Sequence, residues 1–427
     1  MLTGQNTGSW QWSMKVKGIE NYEVYDAKFD SNNPSIIYAA DLDSGIIKSA
    51  DGGKTWLRKD NGMNPYVSNC VSTSTYNCMA QGDAAYVEVA PSDNPAQPSI
   101  VFSSINHWSS SSSNDRLLPS NPYRSFQDKY GITSAGCRIF KSMDGGETWA
   151  DKSNGLPPPC STTNGATNSM IWKIIYNKKG NLLFLTQKRV PINDQECQDV
   201  RHPSTSCSTA EMSNNLYPPV YMSRDLGETW QALPEAGLPD GSYSRNGLGY
   251  DEGTGELFYG VYNSIDGTKG LYKIKPLTET SWTKLTINQP SFDTKSITDM
   301  YTKNNRIYLG YKSSGYGFRL LISQDNGNSW TLGNGGNYFT DGKMNSAEGF
   351  ISVDPNDISH VFVTFNNWWS KPNMGVFESI DGGQTFTQRN QGLDFTDVYH
   401  IAFHPTDPNK LLLMATGGGG MFFSYVP

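Results

Sequence analysis

The segments SADGGKTW (49–56), SMDGGETW (142–149), SRDLGETW (223–230), SQDNGNSW (323–330) and SIDGGQTF (379–386) are copies of one pattern, S-x-D-x-G-x-[T/S]-[W/F]. Each follows a short β-rich run: GIIK, RIFK, VYM, LLI or GVFE. The chemistry of the pattern is that of a tight turn. An aspartate carboxylate can accept backbone N–H groups that a turn leaves exposed. Glycine supplies the backbone geometry that other residues resist. The Ser and Thr hydroxyls can tie the turn across, and the closing aromatic suits a neighbouring sheet. Asp51, Asp144, Asp225, Asp325 and Asp381 are therefore read as turn staples and not as catalysts.

A second repeat precedes each turn. It is an apolar strand, a Pro/Asn/Asp/Gly turn and another apolar strand, the signature of a β-hairpin. Clear copies are AKFDSNNPSIIYAA (27–40), VEVAPSDNPAQPSIVFSS (87–104), ISVDPNDISHVFVTF (351–365) and IAFHPTDPNKLLLMA (401–415). Looser copies begin near residues 173, 248 and 299, which makes seven. The stretch after residue 400 is about half as long as the other repeats. The alternating segment SWQWSMKVKG (9–18) supplies what is missing, so the N-terminal strand is expected to pair with MFFSYVP at the end of the chain. Such a closure removes sheet edges.

The expected fold is thus all-β: one seven-bladed β-propeller across 1–427, its ring closed by the N-terminal strand in the last blade. The expected blades span 19–57, 84–150, 168–232, 243–286, 293–332, 346–388 and 397–427 plus 9–18. Blade four lacks the full turn pattern but keeps Trp282 in KGLYKIKPLTETSWTKL (269–285), and blade seven has no room for it.

The repeated turn resembles the Asp-box (bacterial neuraminidase repeat) of sialidases, sortilin-type receptors and xyloglucan-hydrolase-type propellers. The resemblance specifies architecture far more than activity, since these families do different things. It implies that the Asp turns occupy one face, between third and fourth strands. The connections between second and third strands and between blades then emerge on the opposite face. Two of those connections are very long, 106–136 and 187–217, and 57–83 is also long. Long loops in a compact fold are usually functional.

Composition bounds the function. Aromatic residues reach 12% and charged residues only 18%, with 42 Gly and 23 Pro, as suits sheets and turns. The net charge of −7, without any block of Lys or Arg, excludes phosphate-backbone binding as the main role, so no nucleic-acid partner is expected. No apolar run is long enough to span a membrane as a helix. The N-terminal MLTGQNTGSWQW has neither a basic nor an apolar leader segment, and the chain reads as the mature form of an exported protein.

Six cysteines fall into three local couples, Cys70–Cys78, Cys137–Cys160 and Cys197–Cys207. No zinc-ligand spacing is present, and three disulfides in a secreted or cell-surface protein is the expectation, against the alternative of six buried thiols. All three couples touch the long-loop face. That face also gathers aromatics: Trp108, Tyr123, Tyr338 and the pair Trp368–Trp369, with Arg124 beside Tyr123. Flat rings suit the apolar faces of sugars. A polysaccharide or glycan is the expected partner, bound across the loop-rich face, and self-association is compatible with the same loops.

Glycosidic cleavage needs two carboxylates about 5–9 Å apart. Asp41 and Asp43, in YAADLDSG (38–45), resemble the context of a catalytic aspartate in xyloglucan hydrolases. Those enzymes take the partner carboxylate from a second propeller, which this chain lacks. Asp115 is a further acid, and His107 a candidate base. The sialidase branch implies an Arg-Ile-Pro motif and three inner-strand arginines, which are not found here. A lyase would need a His or Tyr base and a cation to neutralise a uronate, for which His400 on an inner strand is one candidate. The activity is expected to be glycoside hydrolysis or polysaccharide lysis, or none, the alternative being a recognition or surface-assembly propeller. No cofactor is expected, although scattered Asp and Asn would permit a structural calcium.

Overall fold

Alternation decides how these strands pack. Leu257 and Tyr259 point one way and pack on the preceding sheet, while Phe258 between them packs on the following one. Side chains of a strand point alternately to the two sheet faces, so a strand apolar at successive positions must be covered on both faces. The computed structural model meets this demand with seven four-stranded antiparallel sheets arranged as a propeller. It describes residues 11–14, 24–41, 45–63, 83–106, 138–156, 171–187, 218–244, 246–289, 292, 295–313, 317–337, 339, 348–366, 375–393, 397–407, 410–415 and 421–425. Among the described residues there is almost no helix; a short 3-10 turn covers Asn334–Gly336.

Blade one comprises Val24–Phe29, Ile37–Asp41, Gly45–Ser49 and Leu57–Arg58. Blade two comprises Asp83–Ala90, Ile100–Asn106, Arg138–Ser142 and Ala150–Asp151, and blade three Ile171–Asn177, Leu182–Gln187, Val220–Ser223 and Gln231–Ala232. Blade four comprises Leu248–Asp251, Glu256–Val261, Gly270–Ile274 and Thr283–Lys284, and blade five Ser296–Lys303, Arg306–Ser313, Gly317–Ser323 and Thr331–Leu332. Blade six comprises Glu348–Val353, Val361–Asn366, Val376–Ser379 and Thr387–Gln388. Blade seven takes Val398–Phe403, Leu411–Ala415 and Met421–Tyr425 from the end of the chain. Gln11–Met14 is its fourth strand, with Trp12 opposite Ser424.

The core is distributed between blades. An apolar cluster fills each of the seven junctions: Tyr38, Val89 and Trp149 between blades one and two, for instance, and Trp12, Phe362 and Phe422 between six and seven. The repeated Asp turns stand between third and fourth strands. In blade two, Asp144 Oδ1 accepts the Thr148 amide at 2.8 Å and Oδ2 accepts the Thr148 hydroxyl at 2.6 Å. Ser142 Oγ donates to Asp144 and accepts the Gly146 amide at 2.7 Å. Asp51, Asp225, Asp325 and Asp381 repeat these bonds with Thr55, Thr229, Ser329 and Thr385.

Candidate functional site

The strand order separates two rims. Turns between first and second strands, and in blades one to six between third and fourth strands, are short and leave one end of the sheets. Connections between second and third strands, and between blades, leave the other. Residues 107–137 and 188–219 join strands at that second rim.

The Asp turns carry no reactive group. For Asp51 the Thr55 amide is the main influence, with the Thr55 and Ser49 hydroxyls behind it, and the carboxyl falls to about 2. For Asp144 burial pushes upward, but the Thr148 hydroxyl and amide, Ser142 and the Glu147 amide outweigh it and bring the carboxyl to about 2. Such groups stay ionised and bonded, which suits staples and not proton transfer.

Of the acids singled out for cleavage, Asp41 ends the second strand of blade one, opposite Val24 and Gly45, and is fully buried. Asp43, Asp115 and His107 lie outside the described residues. So do Trp108, Tyr123, Arg124, Tyr338, Trp368 and Trp369, and all three cysteine couples. His404 is a turn residue: its Nδ1 accepts the Asp407 amide at 3.0 Å.

The structure reveals a polar axis that the sequence reading missed. Counting from the second-strand residue that faces the turn serine, Asp26, Tyr86, Lys173, Gly247, Asp299, Phe350 and His400 share one level of the seven inner strands. Lys28 and Glu88 lie two residues further along, on the same faces as Asp26 and Tyr86. Charged residues in otherwise apolar strands (AKFD, VEVA, WKII, ITDM) were the available signal.

Most of the charged members of the axis are clamps. Lys173 Nζ donates to the Asn246 carbonyl (2.9 Å), the Met300 carbonyl (2.8 Å) and Asp299 Oδ1 (3.2 Å). Asp299 in turn accepts the Met300 amide and, at 2.7 Å, the Ile351 amide of the next blade. Asp26 Oδ2 accepts the Val87 amide of blade two. Lys173 reaches past blade four because that blade offers glycine here: a Cβ on Gly247 would meet the Gly260 carbonyl at 2.8 Å, and one on Gly260 would meet Ile297 at 2.5 Å. A long cation from blade three fills the space that a side chain of blade four cannot.

The remaining axial groups are Lys28, Glu88 and His400, on blades one, two and seven. Burial pushes the Glu88 carboxyl up to about 7, with Lys28 pulling the other way. Burial, with Lys173 and Lys28 nearby, holds His400 well below the usual imidazole range and therefore neutral.

No protein-family model matches the chain, and no curated protein matches it either. Solved structures do. YCF48 bound to D1 peptide aligns over 100% of both chains with TM-score 0.52 at 14% identity. YCF48 from Cyanidioschyzon merolae aligns over 98% of this chain and 99% of its own with TM-score 0.53 at 12% identity. The GH74 enzyme of Niastella koreensis aligns over 93% of this chain at TM-score 0.52 and 16% identity, yet only 53% of that enzyme is covered. PorZ, a surface component of the type-IX secretion system of Porphyromonas gingivalis, aligns over 95% of this chain and 46% of its own at TM-score 0.52 and 13% identity. At these identities the likeness establishes the propeller fold; the chain spans about half the length of the GH74 enzyme.

Proposed function

We propose that this chain is an extracellular carbohydrate-binding propeller of the Asp-box kind that holds a polysaccharide across the rim bearing its long connections. The observation that carries this reading is the asymmetry of the two rims. One rim repeats the same short turn, in which the Ser, Asp and Thr side chains bond one another and the turn backbone. The other receives the long segment 107–137, in which the sequence places Trp108 and Tyr123 among polar residues, and the shorter connection 367–375, which carries Trp368 and Trp369. Rings in polar surroundings suit sugar faces and hydroxyls together.

Recognition is the principal act in this reading. Asp41 is buried, and Asp26 and Asp299 are engaged in clamps between blades. The test is to incubate the protein with a polysaccharide panel, measuring binding together with new reducing ends and unsaturated uronates. Binding without product supports a recognition propeller. Product formation that is lost in Asp43→Asn would make the chain an enzyme. Absence of any glycan binding would remove the reading and leave surface assembly, the context in which PorZ is described, as the alternative.

A further inference from the structure

The rim that receives the long connections also carries a short, internally locked piece at blade four. Between the second and third strands of that blade, SIDGT (264–268) repeats the chemistry of the Asp turns on the opposite face. Ser264 Oγ donates to Asp266 Oδ1 at 2.8 Å, and the same oxygen accepts the Thr268 amide at 2.8 Å. The connection is also stitched to the segment that enters the blade. The Tyr243 amide bonds the Asn263 carbonyl at 2.9 Å, and the Tyr262 amide bonds the Tyr243 carbonyl at 2.9 Å. The Tyr243 and Tyr262 rings lie with centroids 5.7 Å apart, and both residues are half-buried.

Strand register sets two lysines beside these rings. Val261 and Gly270 are the last ladder pair of the hairpin, so Tyr262 and Lys269 follow it on opposite strands and face the same way. That way is towards blade five. A Cβ on Gly260, two residues before Tyr262, would meet Ile297, and Leu271, two residues after Lys269, packs in the same cluster as Ile297. Lys269 Nζ crosses to blade five and donates to Ser296 Oγ at 3.0 Å, where the inner strand begins, and Lys295 is the residue before. Both lysines are half-buried, and neither has a carboxylate partner among the described residues. Burial, and then Lys295, hold the Lys269 ammonium below its usual range. Asp266 is close in sequence, but its carboxylate is engaged by Ser264 and Thr268. A chain of net charge −7 thus gathers two cations at one junction without countercharge among the described residues. An ammonium partly withdrawn from water is costly until an anion meets it.

We propose that Tyr243, Tyr262, Lys269 and Lys295 form a subsite for an acidic sugar residue on the rim at the junction of blades four and five. A tyrosine face takes the apolar side of the sugar ring, and the ammonium groups take its anionic substituent, a carboxylate or a sulfate. The inference rests on the polysaccharide-binding reading and deepens it, by adding a place on the same rim and a requirement for charge. An aromatic face and a cation side by side match the two halves of such a residue. The site is stiff before the ligand arrives, because the SIDGT turn and the Tyr243–Asn263 bridge hold both tyrosines through their backbone. Little ordering is left to oppose binding.

The test titrates the unaltered protein with a short oligogalacturonate, its methyl ester and a sulfated galactan oligosaccharide by calorimetry. Charge-assisted hydrogen bonds predict that an acidic ligand binds about tenfold more tightly than the ester. The two acids tell carboxylate from sulfate. Lys269→Met should erase the preference and leave affinity for the ester unchanged, while Lys269→Arg should keep most of it. Lys295→Met should reduce it in the same direction. Tyr262→Ala should weaken acid and ester alike, by about fivefold, and Tyr262→Phe should weaken neither. Thermal unfolding of each variant at the parental midpoint separates loss of the site from loss of the fold. If the ester binds as tightly as both acids, or if the preference survives Lys269→Met, the subsite is overturned while glycan binding stands. If no glycan binds, acidic or neutral, the underlying reading fails instead. A short acidic peptide that binds with the same Lys269 dependence, while neither acidic glycan does, would overturn the sugar assignment.

Discussion

Trp12 Nε1 donates a 2.8 Å hydrogen bond to the Arg389 carbonyl, joining the first strand of the chain to the exit of blade six across 377 residues of sequence. The same bond recurs in three further blades, whereas Trp330 Nε1 donates to the Gly327 carbonyl of its own turn. Trp149 bonds the Lys59 carbonyl, Trp230 the Lys152 carbonyl and Trp282 the Pro234 carbonyl, at 2.7–2.8 Å. The Trp amides follow suit, bonding Gln391, Asn61, Asn154 and Ala236. Trp12 and Trp282 thus keep the inter-blade clamp of the repeated motif without the motif's turn. The indole is the part that welds blades, and the Asp turn is the part that shapes the strand end.

Trp12→Ala should destabilise the protein by about 3–5 kcal/mol, as for other buried aromatic truncations. Trp12→Phe keeps most of the apolar burial and loses the hydrogen bond, a cost of about 1 kcal/mol. Chemical unfolding monitored by circular dichroism gives both numbers, and a Trp12→Phe variant as stable as the parent would show that the indole N–H contributes nothing.

Gly53 holds φ +83° in the turn of blade one, and a Cβ there would lie 2.2 Å from the Phe423 ring of blade seven. Gly53→Ala combines a left-handed conformation with overpacking of a buried ring, at about 2–4 kcal/mol together. Phe423→Leu in the same chain relieves the clash but not the conformation. The double variant should therefore recover part of the loss in a thermal unfolding comparison, and full additivity would contradict the contact.

Lys173→Met removes one partner of a buried ion pair and leaves Asp299 uncompensated, at about 3–5 kcal/mol. Adding Asp299→Asn should return a good part of this, because the amide needs no countercharge. A double-mutant cycle by urea unfolding measures the coupling. A coupling near zero would mean that Lys173 does not hold blade three to blade five.

The repeat was legible because its chemistry is local. Ser49, Asp51 and Thr55 find their partners within a few residues, so spacing alone shows the turn. Alternation showed the hairpins for the same reason. The axis was not legible, because Asp26, Lys173, Asp299 and His400 come together only through the register of seven separate sheets. A lone charge in an apolar strand gives no hint of which neighbours it will meet. The inner-strand bulges, such as that between Ile171 and Lys173, add a shift that no pattern of two could foretell.

Glu88 should give the protein a characteristic pH dependence. Its carboxyl titrates at about 7 when folded and at 4.5 ordinarily. Below the ordinary value both states are protonated and Glu88 costs nothing. As pH rises, the unfolded chain ionises first and gains, so stability is lost progressively and the loss is complete above the folded value. The full penalty is up to about 3 kcal/mol. His400 works in the opposite direction: its lowered pKa makes the unfolded chain take up a proton first, so its penalty grows as pH falls below 6.5. The Asp turns titrate below 3.8 and stay out of this window. The two axial effects overlap in the unaltered protein and are separated by comparison with Glu88→Gln. The stability difference between variant and parent should grow in the variant's favour from pH 4.5 to about 7 and then level off. A difference that is flat across this range in chemical unfolding at stepped pH would show that Glu88 is hydrated like a surface carboxylate, and that the axis is wider than its packing implies.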